Sequence, residues 1–114
     1  MAECLFCKIV EKEVPARFVH ESPGVVAFKD IHPQAPVHLL IVPKKHMAQA
    51  MDLTAGDADL LGEIFLVAQA LAKKFSVDKE GFRLVVNNGA NAGQAVDHLH
   101  VHLLGGRPLG WPPG

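Results

Sequence analysis

The sequence predicts an α+β domain, on three observations. A run from residue 54 to about residue 75 repeats apolar side chains at three- and four-residue steps, the spacing of a helix with one buried face. Short apolar, β-branched runs bounded by Gly and Pro lie on both sides of it and read as strands. A length of 114 residues leaves room for a single domain, residues 1–114, with one helix laid over a sheet.

Along the chain, residues 5–12 place Leu5, Phe6 and Ile9 on one side of a short helix. Residues 25–28 and 37–42 are strands between the turn signals Ser22-Pro23-Gly24, Pro33 to Pro36 and Pro43. In the long helix, Leu61, Ile64, Phe65, Ala68, Leu71, Ala72 and Phe75 form the buried stripe. Thr54 suits its N-cap, with Asp57 in the first turn, and Lys73 and Lys74 complement the dipole at the other end. Residues 82–86 and 99–104 are two further strands, and short connections make neighbouring strands antiparallel.

Composition excludes several classes. Eleven Lys and Arg against twelve Asp and Glu give a net charge of −1, which is no footprint for nucleic acid. No apolar run approaches the roughly 20 residues that span a bilayer. The start, Met1-Ala2-Glu3-Cys4, has neither the basic nor the apolar region of a secretory leader, and two cysteines cannot staple a secreted scaffold. A reducing cytosol is the expected compartment. The anomaly is histidine: seven in the chain, three of them within residues 98–102.

Those three stand as His98-Leu99-His100-Val101-His102. In a strand, the imidazoles share one face and Leu99, Val101 and Leu103 the other. Alternate residues on one face lie roughly 7 Å apart, so neighbouring rings can flank one tetrahedral group. The apolar face goes to the core. The histidine face is expected to border a cleft, because imidazoles pressed into hydrocarbon each need a partner. An exposed polar face that happens to use histidine is the plainer reading, and strict threefold alternation argues against it.

His98-Leu99-His100-Val101-His102-Leu103-Leu104 resembles the signature of the histidine triad (HIT) superfamily. Phe6-Cys7-Lys8-Ile9, Ala27-Phe28-Lys29-Asp30-Ile31, Pro36-Val37-His38, Val42-Pro43-Lys44-Lys45-His46, Val86-Asn87 and Gly93-Gln94 match in order. The tail, Gly105-Gly106-Arg107 to Trp111-Pro112-Pro113-Gly114, resembles the Hint branch of histidine triad nucleotide-binding proteins. This resemblance implies an antiparallel sheet of about five strands, with one long and one short helix, extended across a homodimer. It also implies hydrolysis of purine nucleoside phosphoramidates through a nucleotidyl-histidine intermediate.

By match to the motif, His100 is the nucleophile, oriented by the backbone carbonyl of His98, and His102 and His38 contact the phosphate and leaving group. Neutral imidazole suits this role near pH 7. Asn87, Gly93, Gln94 and Ala95 would cradle phosphate oxygens, Ala95 standing where Hint proteins commonly have serine. Asp30 would accept ribose hydroxyls, and Phe6, Ile9, Phe28 and Ile31, with Leu5 and Val14, would line the base slot. All six apolar side chains could equally be core. His32 replaces another common serine, and Trp111 would reach toward the partner subunit.

Cys4-Leu5-Phe6-Cys7 has metal-ligand spacing, but one C-x-x-C is half a zinc site, and two inert thiols are the plain alternative. The resemblance supplies the other half: some bacterial HIT proteins bind structural zinc through such cysteines together with positions filled here by His46 and His98. His20 is expected at the surface. Three alternatives stay open: a dinucleoside polyphosphate hydrolase of another HIT branch, a nucleotide-binding sensor with vestigial catalysis, and a triad holding catalytic zinc.

Overall fold

The computed structural model describes residues 4–114; residues 1–3, on which the leader-free start was read, lie outside them. Helix α1 (Leu5–Val10) is followed by strands β1 (Phe18–Glu21), β2 (Val25–Lys29) and β3 (Val37–Pro43). Helix α2 (Ala58–Lys74) comes next, then β4 (Phe82–Val85) and β5 (Val101–Gly105). The five strands form one antiparallel sheet in the order β1-β2-β3-β5-β4. The last strand therefore enters between β3 and β4, and its side chains are flanked from both sides.

Alternation along the central strands sends one set of side chains to each helix. Val25, Ala27, Leu39, Ile41, Val101 and Leu103 pack beneath α2, against Ile64, Val67, Ala68, Leu71 and Ala72. Val26, Phe28, Leu40 and Val42 face the other way, against Phe6 and Ile9 of α1. Each large apolar side chain buried this way contributes about 1.5–3 kcal/mol relative to an exposed one. That second layer carries the histidines, because His38 precedes Leu40 and Val42 in the same alternation on β3.

Thr54, expected as the N-cap of the long helix, instead caps a short 3-10 turn, Ala55–Asp57, that leads into α2, with Asp57 N–H donating to Thr54 O (2.9 Å) and Thr54 N–H to Asp57 Oδ2 (3.0 Å). One member of the expected stripe is displaced. Phe65 is exposed, because the buried arc centres on Ile64, Ala68 and Leu71, and Phe65 lies a quarter turn off that axis. The short strand β1 went unread in the sequence, and it places His20 in the sheet, half-buried and 3.1 Å from Ser22 Oγ. The last strand begins at Val101, later than its expected start at Leu99. After it the chain turns at Gly106 with φ of 93°, where a Cβ would lie 2.9 Å from Pro36 Cβ, so glycine is required there.

Candidate functional site

Hydrogen bonds to carbonyls and peptide N–H groups decide where each imidazole carries its proton. His100 Nδ1 lies 2.7 Å from the carbonyl oxygen of His98. A carbonyl only accepts, so Nδ1 holds the hydrogen and Nε2 keeps the lone pair. On β3, Gln34 N–H donates to His38 Nδ1 (3.0 Å), which forces the His38 proton onto Nε2. That Nε2–H donates to His102 Nδ1 (2.9 Å), and the His102 proton is thereby placed on Nε2. The Asp30 carboxylate, which also accepts from His32 N–H (2.8 Å), stands 3.4 Å from His38 Nε2. One lone pair and one N–H are thus presented by neighbouring rings whose centroids lie 5.0 Å apart, closer than the roughly 7 Å of an untilted strand.

Burial holds His102 down to about 4, helped by its neighbours His100 and His38, with Asp30 opposing. His38 is lowered as well, chiefly by burial. Both rings are neutral near pH 7. The linkage has a definite sign: the unfolded chain binds these protons near the ordinary histidine value of about 6.5, and the folded chain only at lower pH. Their contribution to stability is full above about pH 6.5 and is lost as pH falls toward 4. The melting temperature is therefore expected to drop over that window, and His102→Gln should flatten the slope. An unchanged slope in that variant would remove His102 from the account.

His98 departs from the expected open histidine face. Its ring is fully buried, and Nε2–H donates to the Pro43 carbonyl (2.8 Å), leaving the Nδ1 lone pair to point at Cys4 Sγ (3.3 Å), Cys7 Sγ (3.5 Å) and His46 Nδ1 (3.2 Å). Cys7 Sγ is 3.3 Å from His46 Nδ1. Tetrahedral zinc with ordinary bond lengths sets sulfur and nitrogen ligands about 3.6 Å apart and two nitrogens about 3.3 Å apart. The quartet fits that ion in both donor type and spacing. Burial lowers His98, keeping it in the neutral form a ligand needs, while burial and the adjacent Cys4 raise the Cys7 thiol, a cost that a bound cation removes. Of the two roles expected for His98, the ring faces the Cys4, Cys7 and His46 quartet, and only its carbonyl reaches His100.

A second cluster, Asp30, His38 and His102, has comparable spacing. It does not fit a metal, because Gln34 N–H occupies His38 Nδ1 and leaves the metal-facing Nε2 protonated.

The loop between β4 and β5 differs from expectation at Gln94. Its Oε1 accepts from Gly89 N–H (2.8 Å), and its Nε2 donates to Ala48 O (2.7 Å) and Val96 O (3.0 Å). Both amide hydrogens are spent, one on Val96 within the loop and one on Ala48 outside it, so the Gln94 side chain has no donor left for a phosphate. The Asn87 amide is uncommitted among the described residues, and Gly93 takes a left-handed turn (φ 81°) that aims the loop. Ala95 is exposed.

Phe6, Ile9 and Phe28 are buried, and Phe6 presents its edge to Phe28 (5.5 Å) and His100 (5.1 Å), so this ring forms the wall beside His100. Leu5 and Ile31 are exposed, and Val14 is half-buried. Ile31 flanks, with Asp30 and His38, a cavity of about 730 Å³ that continues past Arg17 and Lys29 to Phe75. Sequence reasoning singled out neither Arg17 nor Lys29. Trp111 is 82% exposed at the tail, which Arg83 anchors through Gly110 O (2.9 Å), and His32 is exposed at the loop beside Asp30.

An antiparallel sheet carrying opposed imidazoles, with a Cys2His2 quartet one residue pair away, defines a histidine-triad protein. The HIT domain pattern matches residues 11–109, and the chain belongs to the HIT family. It is 50% identical to a HIT-like protein of Synechocystis, over the full length of both. It is 43% identical to a 14 kDa zinc-binding protein of Brassica juncea, over 98% of this chain and 100% of that one. Among solved structures, a HIT family hydrolase from Legionella pneumophila Philadelphia 1 superposes with a TM-score of 0.97 at 50% identity, covering 98% of this chain and all of the other. A histidine triad nucleotide-binding protein from Candida albicans superposes at 0.84 with 35% identity, covering 96% of this chain and 83% of that one. No helix among the described residues is long and apolar enough to cross a membrane.

Proposed function

We propose that this chain, as a single HIT domain over residues 1–114, hydrolyses purine nucleoside phosphoramidates to a nucleoside monophosphate and an amine. The observation that carries the reading is the 2.7 Å bond from His100 Nδ1 to the His98 carbonyl, which leaves Nε2 as a nucleophile. His100 Nε2 attacks phosphorus and the P–N bond breaks. An anionic phosphoryl group set against His102 offsets the burial that keeps this ring neutral, so bound substrate draws a second proton onto His102 Nδ1, in exchange for the hydrogen bond that this nitrogen accepts from His38. His102 then gives its Nε2 proton to the departing amine. Water attacks the phosphorus next, His102 takes back a proton from it, and the bond to His100 Nε2 breaks to release the nucleotide.

Asp30 accepts the ribose hydroxyls at the wall of the 730 Å³ cavity, with Ile31 toward the base, while Phe6 and Phe28 lie buried outside the cavity lining. Asn87, Gly93 and the Ala95 backbone face the phosphate, and Gln94 holds that loop in shape. Without a hydroxyl at position 95, the leaving group depends on His102 alone for its proton. Cys4, Cys7, His46 and His98 hold zinc, which with four protein ligands is structural and supplies no chemistry to the reaction. Free thiols in such a site suit a reducing cytosol.

The chain pairs with a second copy across the outer edge of β4, an unpaired strand that carries exposed Phe82 and is followed by exposed Val86. Trp111 then lies toward the partner. The test of the reaction is mass spectrometry after brief mixing with an AMP phosphoramidate. An adduct of one AMP located on His100 is expected, and turnover with label on no histidine would sink the covalent route.

A further inference from the structure

Two segments far apart in sequence meet at the metal quartet, and the second of them carries the phosphate-facing loop of the nucleotide site. His46 heads the first, residues 46–51. From this segment Met47 O accepts from Leu99 N–H (2.7 Å) and Ala48 O from Gln94 Nε2 (2.7 Å). Gln49 Oε1 accepts from Asn88 Nδ2 (3.1 Å), and Met51 N–H donates to Asn88 Oδ1 (2.9 Å). All four bonds cross to residues 88–99, the stretch that carries the phosphate-facing loop and leads into the nucleophile. His98 closes the circuit, with its ring in the quartet and its carbonyl on His100.

We infer that the metal centre positions the nucleotide site, through His98 toward the nucleophile and through Gln94 toward the phosphate loop. One ion bound by His46 and His98 fixes the two segments relative to each other. Gln94 turns that restraint into loop shape, since one amide spans Gly89, Ala48 and Val96. It is a positioning residue, not a phosphate ligand. The inference rests on the zinc and nucleotide readings above, and it has a consequence that does not involve catalysis. Coupling between two binding sites is reciprocal, so zinc must tighten AMP binding by the same factor by which AMP tightens zinc.

The test uses the full chain and two measurements: AMP affinity by calorimetry with and without zinc, and zinc affinity by competition with a chromophoric chelator with and without AMP. Both factors are expected to agree, at roughly 5- to 50-fold. In Gln94→Ala, zinc should still bind, while the shared factor falls several-fold to the part that His98 carries. If the zinc-free chain does not hold its fold, the rate of zinc release from the loaded wild type and Gln94→Ala, with and without AMP, reads the same coupling. Equal AMP affinities with and without zinc, or release rates indifferent to AMP, would overturn the inference alone. A chain that takes up no zinc overturns the zinc reading and the coupling together, and a zinc-loaded chain that binds no AMP overturns both the nucleotide reading and the coupling.

Discussion

His100→Ala is expected to lower turnover of an AMP–amine conjugate by roughly 10⁵-fold or more, the scale of losing a nucleophile whose partners then have nothing to act on. Binding should survive, because Asp30, the loop after β4 and the wall formed by Phe6 are untouched. The expected signature is thus a collapse of kcat with AMP affinity within a few-fold of wild type. His100→Gly goes further, since it opens a ring-sized space beside Phe6, and added imidazole should restore part of the rate from solution. His98→Ala separates the two neighbours. It leaves a backbone carbonyl for His100 and removes a ligand of the quartet, so its first effect should be lost zinc and stability. Retention of turnover by His100→Ala within tenfold of wild type would end the nucleophile assignment.

What the sequence revealed and what it hid follow from the range of each interaction. Helix α2 was legible because its period, its Thr54 and Asp57 start and its lysine-rich end are all local. The shared side of His100 and His102 was equally legible from two-residue spacing, although His100 stands just before the strand that begins at Val101. Strand β1 was not, because Phe18-Val19-His20-Glu21 is four residues long, half polar and bulged against β2. His98 lies before the ladder begins, and its ring is turned by partners 52 to 94 residues away, beyond the reach of any spacing argument. Gln94 read as a phosphate ligand for the same reason. Its partner Ala48 lies 46 residues upstream, and only the folded chain shows that the amide is already occupied. The candidate site could be read from pattern, whereas the hydrogen-bond commitments of its side chains needed tertiary contacts.

Stripping the metal, or replacing Cys4 or Cys7, should produce the largest change in stability. A ligand held by the folded chain alone at 1,000 times its dissociation constant stabilises it by about 4 kcal/mol. For a chain of this length that is about 15 °C in Tm. The chain should remain folded after the loss, since the core beneath α2 includes none of Cys4, Cys7, His46 and His98. Damage should concentrate at α1, a six-residue helix too short to persist unaided. Cys4 has a second task there, because its sulfur accepts from Cys7 N–H (3.3 Å) at the N-cap. Cys4→Ser retains an N-capping oxygen while giving up the thiolate, and Cys4→Ala gives up both, so the difference between them isolates the cap at about 1 kcal/mol. The larger shared loss belongs to the metal. Loosening α1 also frees Phe6 from beside His100, so activity should fall along with Tm in both variants. Calorimetry of the chain before and after chelation, with zinc content measured in each sample, decides the matter. A sample shown to have lost its zinc that melts at an unchanged temperature would mean that Cys4, Cys7, His46 and His98 are held together by packing alone.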